Sequence, residues 1–411
     1  MGFSDLVLAA VERLDGVAVP TPVQLSTRLS DLTGAEVWVK REDLQVGRSY
    51  KVRGAYNTIA QLDRGTTVVT ASAGNHAQGF AYACAALGVR GTVVVPGTTP
   101  KQKRQRIAAL GGDAVTLLVE GDTYDDSARV AADLAASTGA VVVPAFDALS
   151  TVVGQATVAV EFLAQLPVAP DVVVLPVGGG GLLAGCATWL REHSPATRVV
   201  GVEPAGAAGM AAALTAGEPV TLAEIDTFVD GAAVRRAGEV TFPLVRDAGV
   251  ELVAVPEGAV CTEMLDLYQV DGVIAEPAGA LATAALASGA VAVEPGQTVL
   301  ALLSGGNNDV SRYAEVVERS LVHRGLKHYF LVEFPQEPGA LRRFLDEVLG
   351  PDDDIVLFEY QKRDNRETGA ALVGIELGAA AGLTPLLARI AAGPLTIQHL
   401  APGTTAYRFL V

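Results

Sequence analysis

The sequence predicts an α/β protein of mostly parallel sheets, followed by a small α+β domain. Three observations carry this. Short valine-rich runs alternate with alanine-rich, helix-like segments between residues 67 and 303, and such alternation needs crossover connections and so a largely parallel sheet. Composition shifts near residue 320, after which the chain shows a compact β-α-β-β-α-β series, the ferredoxin-like order. Glycine-rich turns follow several apolar runs, and in parallel sheets ligands bind at the carboxyl ends of strands.

The bulk properties narrow the function. The 411 residues suffice for two or three domains. A net charge of −16, from 30 basic and 46 acidic residues, argues against nucleic acid or an anionic membrane as the main partner. Cys84, Cys186 and Cys261 are scattered, as expected of small core residues in a reducing compartment. No basic segment opens the chain, and Leu6 stands where myristoylation wants Ser or Thr. Val172 to Leu190 is uncharged and long enough to mimic a membrane span. Its four consecutive glycines and Pro176 suit a strand, a loop and a helix better. A cytoplasmic protein is expected.

The elements follow in order. Phe3–Leu14 has helical spacing of Leu6, Ala10, Val11 and Leu14, and Pro20 and Pro22 end it. Val37–Lys40 reads as a strand and Ala55–Leu62 as a helix, with Ser49-Tyr50-Lys51-Val52-Arg53-Gly54-Ala55 at its start. Thr67–Thr70 is a strand, Ala77–Leu87 a helix closed by Gly88, and Gly91–Pro96 a strand. Thr99-Pro100 reads as N-cap and first-turn proline of a helix whose Lys101, Lys103, Arg104 and Arg106 form a solvated face. Ala114–Val119, Thr123–Ser137 and Ala140–Val143 continue as strand, helix, strand. A helix over Thr157–Leu166, a buried strand over Asp171–Leu175, a helix to about Glu192 and a strand over Arg198–Val202 come next. Val260–Tyr268 and Ala280–Ala287 look helical, and Thr298–Leu303 is an apolar strand. In the tail, His328–Phe334, Ile355–Lys362, Ala370–Leu377, Leu395–Leu400 and Thr405–Leu410 read as strands. A turn spans Arg363–Gly369, Pro338–Leu349 is a helix, and Thr384-Pro385 caps another to about Ala392.

Four short pieces carry chemistry. Lys51 sits at a helix start, where unpaired N–H groups and the positive helix end disfavour a further positive charge. Partial burial works the same way, towards a neutral amine able to form a Schiff base with an aldehyde. Taken alone, such a lysine reads as a solvated one. Ser72-Ala73-Gly74-Asn75-His76-Ala77-Gln78-Gly79 offers hydroxyl, amide and helix-start donors that suit a carboxylate or ring hydroxyl, and reads equally as a plain strand-to-helix turn. Val177-Gly178-Gly179-Gly180-Gly181-Leu182 lets backbone N–H groups crowd a phosphate. Gly179, Gly181 and Ala184, with Glu203 after the next strand, also meet a loose dinucleotide spacing. Ser304-Gly305-Gly306-Asn307 follows the strand ending at Leu303. Amine, amide, phosphate cradle and strand-end hydroxyl together are what pyridoxal 5′-phosphate requires, whereas NAD would need neither the lysine nor the serine.

These four pieces and Glu276-Pro277-Ala278-Gly279-Ala280, taken in order, closely resemble the threonine dehydratases (threonine ammonia-lyases) over essentially the whole chain. Phe334-Pro335-Gln336-Glu337-Pro338-Gly339-Ala340-Leu341 and Phe358-Glu359-Tyr360 resemble that family's ACT-like regulatory domain. The resemblance implies a two-lobed catalytic domain of pyridoxal phosphate fold-type II over residues 1–325. A small lobe of roughly 55–155 is inserted in the larger one, and one ACT-like domain covers 326–411. It implies deamination of L-threonine to 2-oxobutyrate and ammonia, the first committed step of isoleucine biosynthesis, with L-serine as a further substrate. Isoleucine would inhibit, valine would be a second effector, and the assembly would be a homotetramer. By the same resemblance Lys51 holds the cofactor and then acts as base. Asn75 bonds the ring hydroxyl, Gly178, Gly179, Gly180, Gly181 and Leu182 cradle the phosphate, and Ser304 faces the ring nitrogen. Ser72, Ala73, Gly74, Asn75 and His76 hold the substrate carboxylate, and Phe334, Glu337, Phe358 and Tyr360 serve regulation. A serine hydroxyl does not enforce ring protonation, which favours prompt loss of the β-hydroxyl over transamination. Glu203 has no second carboxylate nearby in Gly206-Ala207-Ala208-Gly209, so no metal site is expected. Glu276 reads equally as a structural carboxylate and as a site residue. Rival readings are a catabolic serine/threonine dehydratase, an amino-acid racemase, an NAD oxidoreductase and a catalytically dead amino-acid-binding regulator.

Overall fold

The computed structural model describes residues 2–360, 367–393, 395–401, 404 and 407. Most of the expected turn at Arg363–Gly369, the last two residues of the strand expected over Ile355–Lys362 and most of the strand expected at Thr405–Leu410 lie outside the described residues. The chain forms two compact units, Met1–Asp309 and Val310–Val411. This division falls before the helix Tyr313–His323, not at residue 325.

The first unit contains two sheets. The larger runs in the order Val23–Leu25, Glu36–Arg41, Thr298–Leu303, Val172–Pro176, Arg198–Pro204 and Glu251–Val255. Only its first pair is antiparallel. Its central strand Val172–Pro176 is buried at every residue, which is why it reads as an unbroken apolar run. The second sheet, all parallel, has the order Val115–Val119, Gly91–Val95, Val68–Ala71 and Val141–Val142. All its strands fall in sequence between the second and third strands of the larger sheet's chain order. One core packs Phe162, Leu175, Leu183, Trp189 and Leu300, and another packs Ile59, Phe80, Val93 and Ile107.

Several helices differ from expectation. The helix expected at Thr157–Leu166 begins eight residues earlier, as Leu149–Gln165. Thr151 to Ala159 are all buried, so the segment has no polar face to reveal a helical period. Thr99 is not an N-cap; Pro100 takes that place before Lys101–Gly111, and the Thr99 hydroxyl is buried without a partner among the described residues. Likewise Gly382 precedes the helix Leu383–Ala392, which already contains Thr384. On the basic helix, Lys101 and Arg106 are exposed, but Lys103 pairs with Asp230 at 2.7 Å. Among the described residues, no helix is long and apolar enough to cross a membrane. All three cysteines are buried.

The second unit is an antiparallel sheet in the order Asp354–Tyr360, Thr368–Glu376, Lys327–Pro335, Thr396–Leu400. With the helices Ala340–Val348 and Leu383–Ala392 this is the ferredoxin-like arrangement. Phe330, Val332 and Phe334 alternate along their strand onto one face, where they meet Phe344, Val348 and Leu386 of the helices.

Candidate active site

Lys51 is the first residue of the helix Lys51–Ile59. Three helices are brought together there by glycine. A Cβ at Gly154 would lie 2.7 Å from both the Arg53 carbonyl oxygen and the Gly54 Cα, and one at Gly79 would lie 2.9 Å from the Val52 nitrogen. Behind Lys51, a buried ion network fixes the same helix. Arg53 bonds Glu42 through Nε at 2.9 Å and Glu161 through Nη1 at 2.6 Å, and Lys40 Nζ bonds Glu161 at 2.8 Å. Burial alone would raise the Glu42 carboxyl, but the Arg53 guanidinium, Lys40 and the Thr21 hydroxyl together outweigh it and hold Glu42 below the usual carboxylate range. In front, the Tyr50 N–H donates to the Ser304 carbonyl at 3.2 Å and the Gly306 N–H to the Arg48 carbonyl at 3.0 Å. The approach to Lys51 is thereby paired with the segment that follows the strand Thr298–Leu303.

The Lys51 ammonium donates to the Ala145 carbonyl at 3.1 Å. Burial brings it down to about 8, against the upward pull of the Glu276 carboxylate. Asn75 opens the next helix, Asn75–Leu87. Its Nδ2 donates to the Glu276 carboxylate, and its Oδ1 accepts from Asn307 Nδ2 at 2.7 Å. Burial, reinforced by the Asp230 carboxylate, lifts the Glu276 carboxyl to about 7, opposed by Asn75, Lys103 and the Asn307 N–H. His76 is turned into the core: its Nε2 donates to the Val143 carbonyl at 3.0 Å, and burial keeps the ring neutral. Ser72 Oγ accepts from the Gly74 N–H at 3.2 Å and so shapes the turn.

The glycine run links the strand Val172–Pro176 to the helix Gly181–His193. Side chains are excluded there by close neighbours. A Cβ at Gly179 would lie 2.3 Å from the Phe146 ring, one at Gly180 2.4 Å from Met210, and Gly180 has φ +93°. The opening N–H groups of the helix have no intrahelical acceptor. Backbone donors with no Cβ in the way, at a helix start, fit a phosphate. The same pocket is lined by Tyr50, Lys51, Asn75, Gly178, Glu276 and Ser304. The buried Ser304 hydroxyl donates to the Ala278 carbonyl at only 3.3 Å. A buried amine, the head of the glycine run at Gly178, an amide donor and a weakly engaged hydroxyl line one pocket, and that donor set fits pyridoxal phosphate.

A model of the pyridoxal-phosphate dependent enzyme family matches residues 14–305, and a model of the C-terminal regulatory domain of threonine dehydratase matches residues 318–410. The L-threonine dehydratase biosynthetic IlvA of Mycobacterium tuberculosis is 62% identical to this chain over 98% of the chain and 94% of its own length. The chain belongs to the threonine dehydratase family. Solved structures agree. The processed form of threonine deaminase isoform 2 from Solanum lycopersicum is 37% identical and superimposes with a TM-score of 0.74, covering 78% of this chain and 88% of that one. A T.th. threonine deaminase gives 36% identity and a TM-score of 0.70, covering 74% of this chain and 98% of that one. The fold is that of a pyridoxal-phosphate-dependent threonine dehydratase with its C-terminal regulatory domain.

Within that regulatory domain, Phe334 is buried and edge-to-face with Phe344 at 5.5 Å, Phe358 at 6.0 Å and Tyr360 at 5.9 Å. Glu337 pairs with Arg343. Phe334 thus belongs to the domain core, while Tyr360 is exposed. In the catalytic unit, sequence reasoning assigned no role to Ala145, Phe146 or Asn307. The first two carry no motif. Asn307 was in view as part of Ser304-Gly305-Gly306-Asn307, but its partners are remote in sequence.

Proposed function

We propose that this threonine dehydratase deaminates L-threonine to 2-oxobutyrate and ammonia by β-elimination of water, under control of its C-terminal domain. The observation that carries the reading is that Lys51, Asn75, Gly178 and Ser304, distant in sequence, line one pocket. Bound pyridoxal phosphate supplies an aldehyde for an amine and an electron-withdrawing ring that acidifies the substrate Cα–H. Lys51 would hold the cofactor through Nζ and, once the substrate amine has taken that place, would accept the Cα proton on Nζ. Its tendency to be neutral near pH 8 suits both tasks. The β-hydroxyl departs and, with the proton taken up by Lys51, makes up the water lost; the released enamine takes up water to give 2-oxobutyrate and ammonia. Gly178, Gly179, Gly180, Gly181 and Leu182 would orient the phosphate, Ser304 would meet the ring nitrogen without forcing its protonation, and Asn75 would donate to the ring hydroxyl. The N–H groups opening Asn75–Leu87, with Ser72, Ala73 and Gly74 shaping the turn, receive the substrate carboxylate.

Isoleucine is the proposed inhibitor and valine a second effector, both acting in the C-terminal unit, in a cytoplasmic homotetramer. Support comes from the match of residues 318–410 to a regulatory domain. The test is 2-oxobutyrate formation from threonine, with and without isoleucine, in the full chain and in a chain ending at Asp309. Isoleucine suppression in the full chain alone is the expected result. Equal response of both chains would remove the effector from the C-terminal unit, and no 2-oxobutyrate from the full chain would refute the reaction. Pyruvate from serine, or racemised product, would identify the rival dehydratase or racemase activity.

A further inference from the structure

Asn75 is held at both ends of its amide. Its Oδ1 accepts from Asn307 Nδ2 at 2.7 Å, and its Nδ2 donates to Glu276. Asn307 in turn is not free to rotate. Its Nδ2 also donates to the Gly47 carbonyl at 2.6 Å, and a carbonyl can only accept. An amide turned by half a revolution would set oxygen against oxygen there. The Asn307 backbone N–H additionally holds Glu276, the acceptor at the other end of the chain of bonds. A backbone carbonyl next to Arg48, the one non-glycine residue with positive φ (57°) among the described residues, thus fixes Asn307, and Asn307 fixes Asn75.

We propose that Asn307 is a positioning residue for the site: anchored on the Gly47 carbonyl, it turns the Asn75 amide so that a donor, not an acceptor, is presented to the cofactor's ring hydroxyl. Asn75 Nδ2 carries two hydrogens, and Glu276 takes one, leaving one for the ring oxygen. A donor at that place stabilises the ionised ring oxygen, whereas an acceptor would require it protonated. Glu276 alone does not ensure this: its carboxyl is lifted to about 7, and once protonated it can donate to an oxygen turned towards it, because the amide oxygen and nitrogen are nearly equal in size. Asn307 thus contributes to the reaction without touching the reacting atoms.

This inference rests on the proposed cofactor site at Lys51. The experiment compares full-length holoenzyme with N307D and N307A at one pH, reading the absorption band of the bound cofactor above 400 nm and its dissociation constant. In N307D a near-isosteric group with acceptors only faces both the Gly47 carbonyl and Asn75 Oδ1. The Asn75 amide turns, with a protonated Glu276 donating to its oxygen, the long-wavelength band weakens in favour of a shorter-wavelength one, and the dissociation constant rises about tenfold or more. In N307A a water can take the vacated place and donate to Oδ1 while Glu276 still holds Nδ2, so the changes stay within about threefold. A merely structural asparagine would show the opposite order, since alanine loses more packing than aspartate. Equal or greater damage in N307A, or an unchanged band and affinity in N307D, overturns the proposal. Should N307D not fold, N307L carries the test: it fills the same volume, admits no water and offers no donor, so a blue-shifted band supports the proposal and an unchanged one overturns it. Borohydride labelling of Lys51 in the unaltered chain separates the two readings. No label there refutes the cofactor site itself, while a label together with an unchanged N307D spectrum refutes only the role of Asn307.

Discussion

Lys51 Nζ donates to the carbonyl oxygen of Ala145 at 3.1 Å, a bond between positions 94 residues apart. Ala145 precedes Phe146, whose ring lies against the glycine run. One short segment therefore touches both the amine and the glycine run proposed to cradle the phosphate, two groups that would have to be held at a fixed separation to grip one cofactor.

Cofactor capture by the apoprotein should follow the ionisation of Lys51. Burial holds that group near 8, below its ordinary 10.5, so the neutral amine gains about tenfold per pH unit up to about 8 and then levels off. Stopped-flow absorbance on adding pyridoxal phosphate at pH 6 to 9 measures this. A rate that goes on climbing tenfold per unit to pH 10 would contradict a lowered Lys51. Lys51→Ala should fold and lose activity by about a thousandfold or more.

Gly179→Ala should weaken cofactor binding about tenfold or more, because its Cβ would sit 2.3 Å from the Phe146 ring and push the loop out of shape. Phe146→Ala in the same chain should recover part of that loss. Equilibrium dialysis of the cofactor gives both numbers, and an unaffected single variant would count against the cradle.

Arg53→Met should destabilise the protein by about 3–5 kcal/mol, since Glu42 would be left buried without its partner. Denaturant unfolding of the apoprotein is the measurement. A loss below about 1 kcal/mol would mean that the network relaxes or takes up protons in compensation.

Glu203 accepts from the N–H groups of Met210 at 2.7 Å and Ala211 at 2.9 Å, at the start of the helix Gly209–Ala216. Burial nevertheless lifts its carboxyl to about 7, against those two donors. A carboxyl raised above its unfolded value of 4.5 stabilises the fold fully below pH 4.5 and loses that contribution as pH rises through 7. The stability of E203Q relative to the parent should therefore shift in favour of the variant by up to about 3 kcal/mol between those limits. Urea melts at pH 4.5, 6 and 8 would show it, and a pH-independent difference would disprove it.

The motifs were legible because each is local. A strand, a turn and a helix start lie within a dozen residues of Lys51, Asn75, the glycine run and Ser304, and backbone chemistry at such turns depends on neighbouring residues alone. The tail was legible for a similar reason: Phe330, Val332 and Phe334 announce a strand by alternation. The first half of Leu149–Gln165 was not, because a helix buried on every side has no period to read.

By itself, then, the sequence determined most of the elements, the parallel α/β class, the ferredoxin-like tail and the residue types brought to the strand ends, but not the helices Thr27–Thr33, Gly209–Ala216, Thr241–Ala248 and Tyr313–His323 or the strand Glu251–Val255. Tertiary structure alone decided which groups face one another. Only folding sets the Glu276 carboxylate and the Asn307 amide on either side of Asn75, at separations of 201 and 232 residues, and turns His76 inward to Val143. The physical reason is that hydrogen-bond orientation and burial depend on distances across the fold, and the periodicity of a chain carries no record of them.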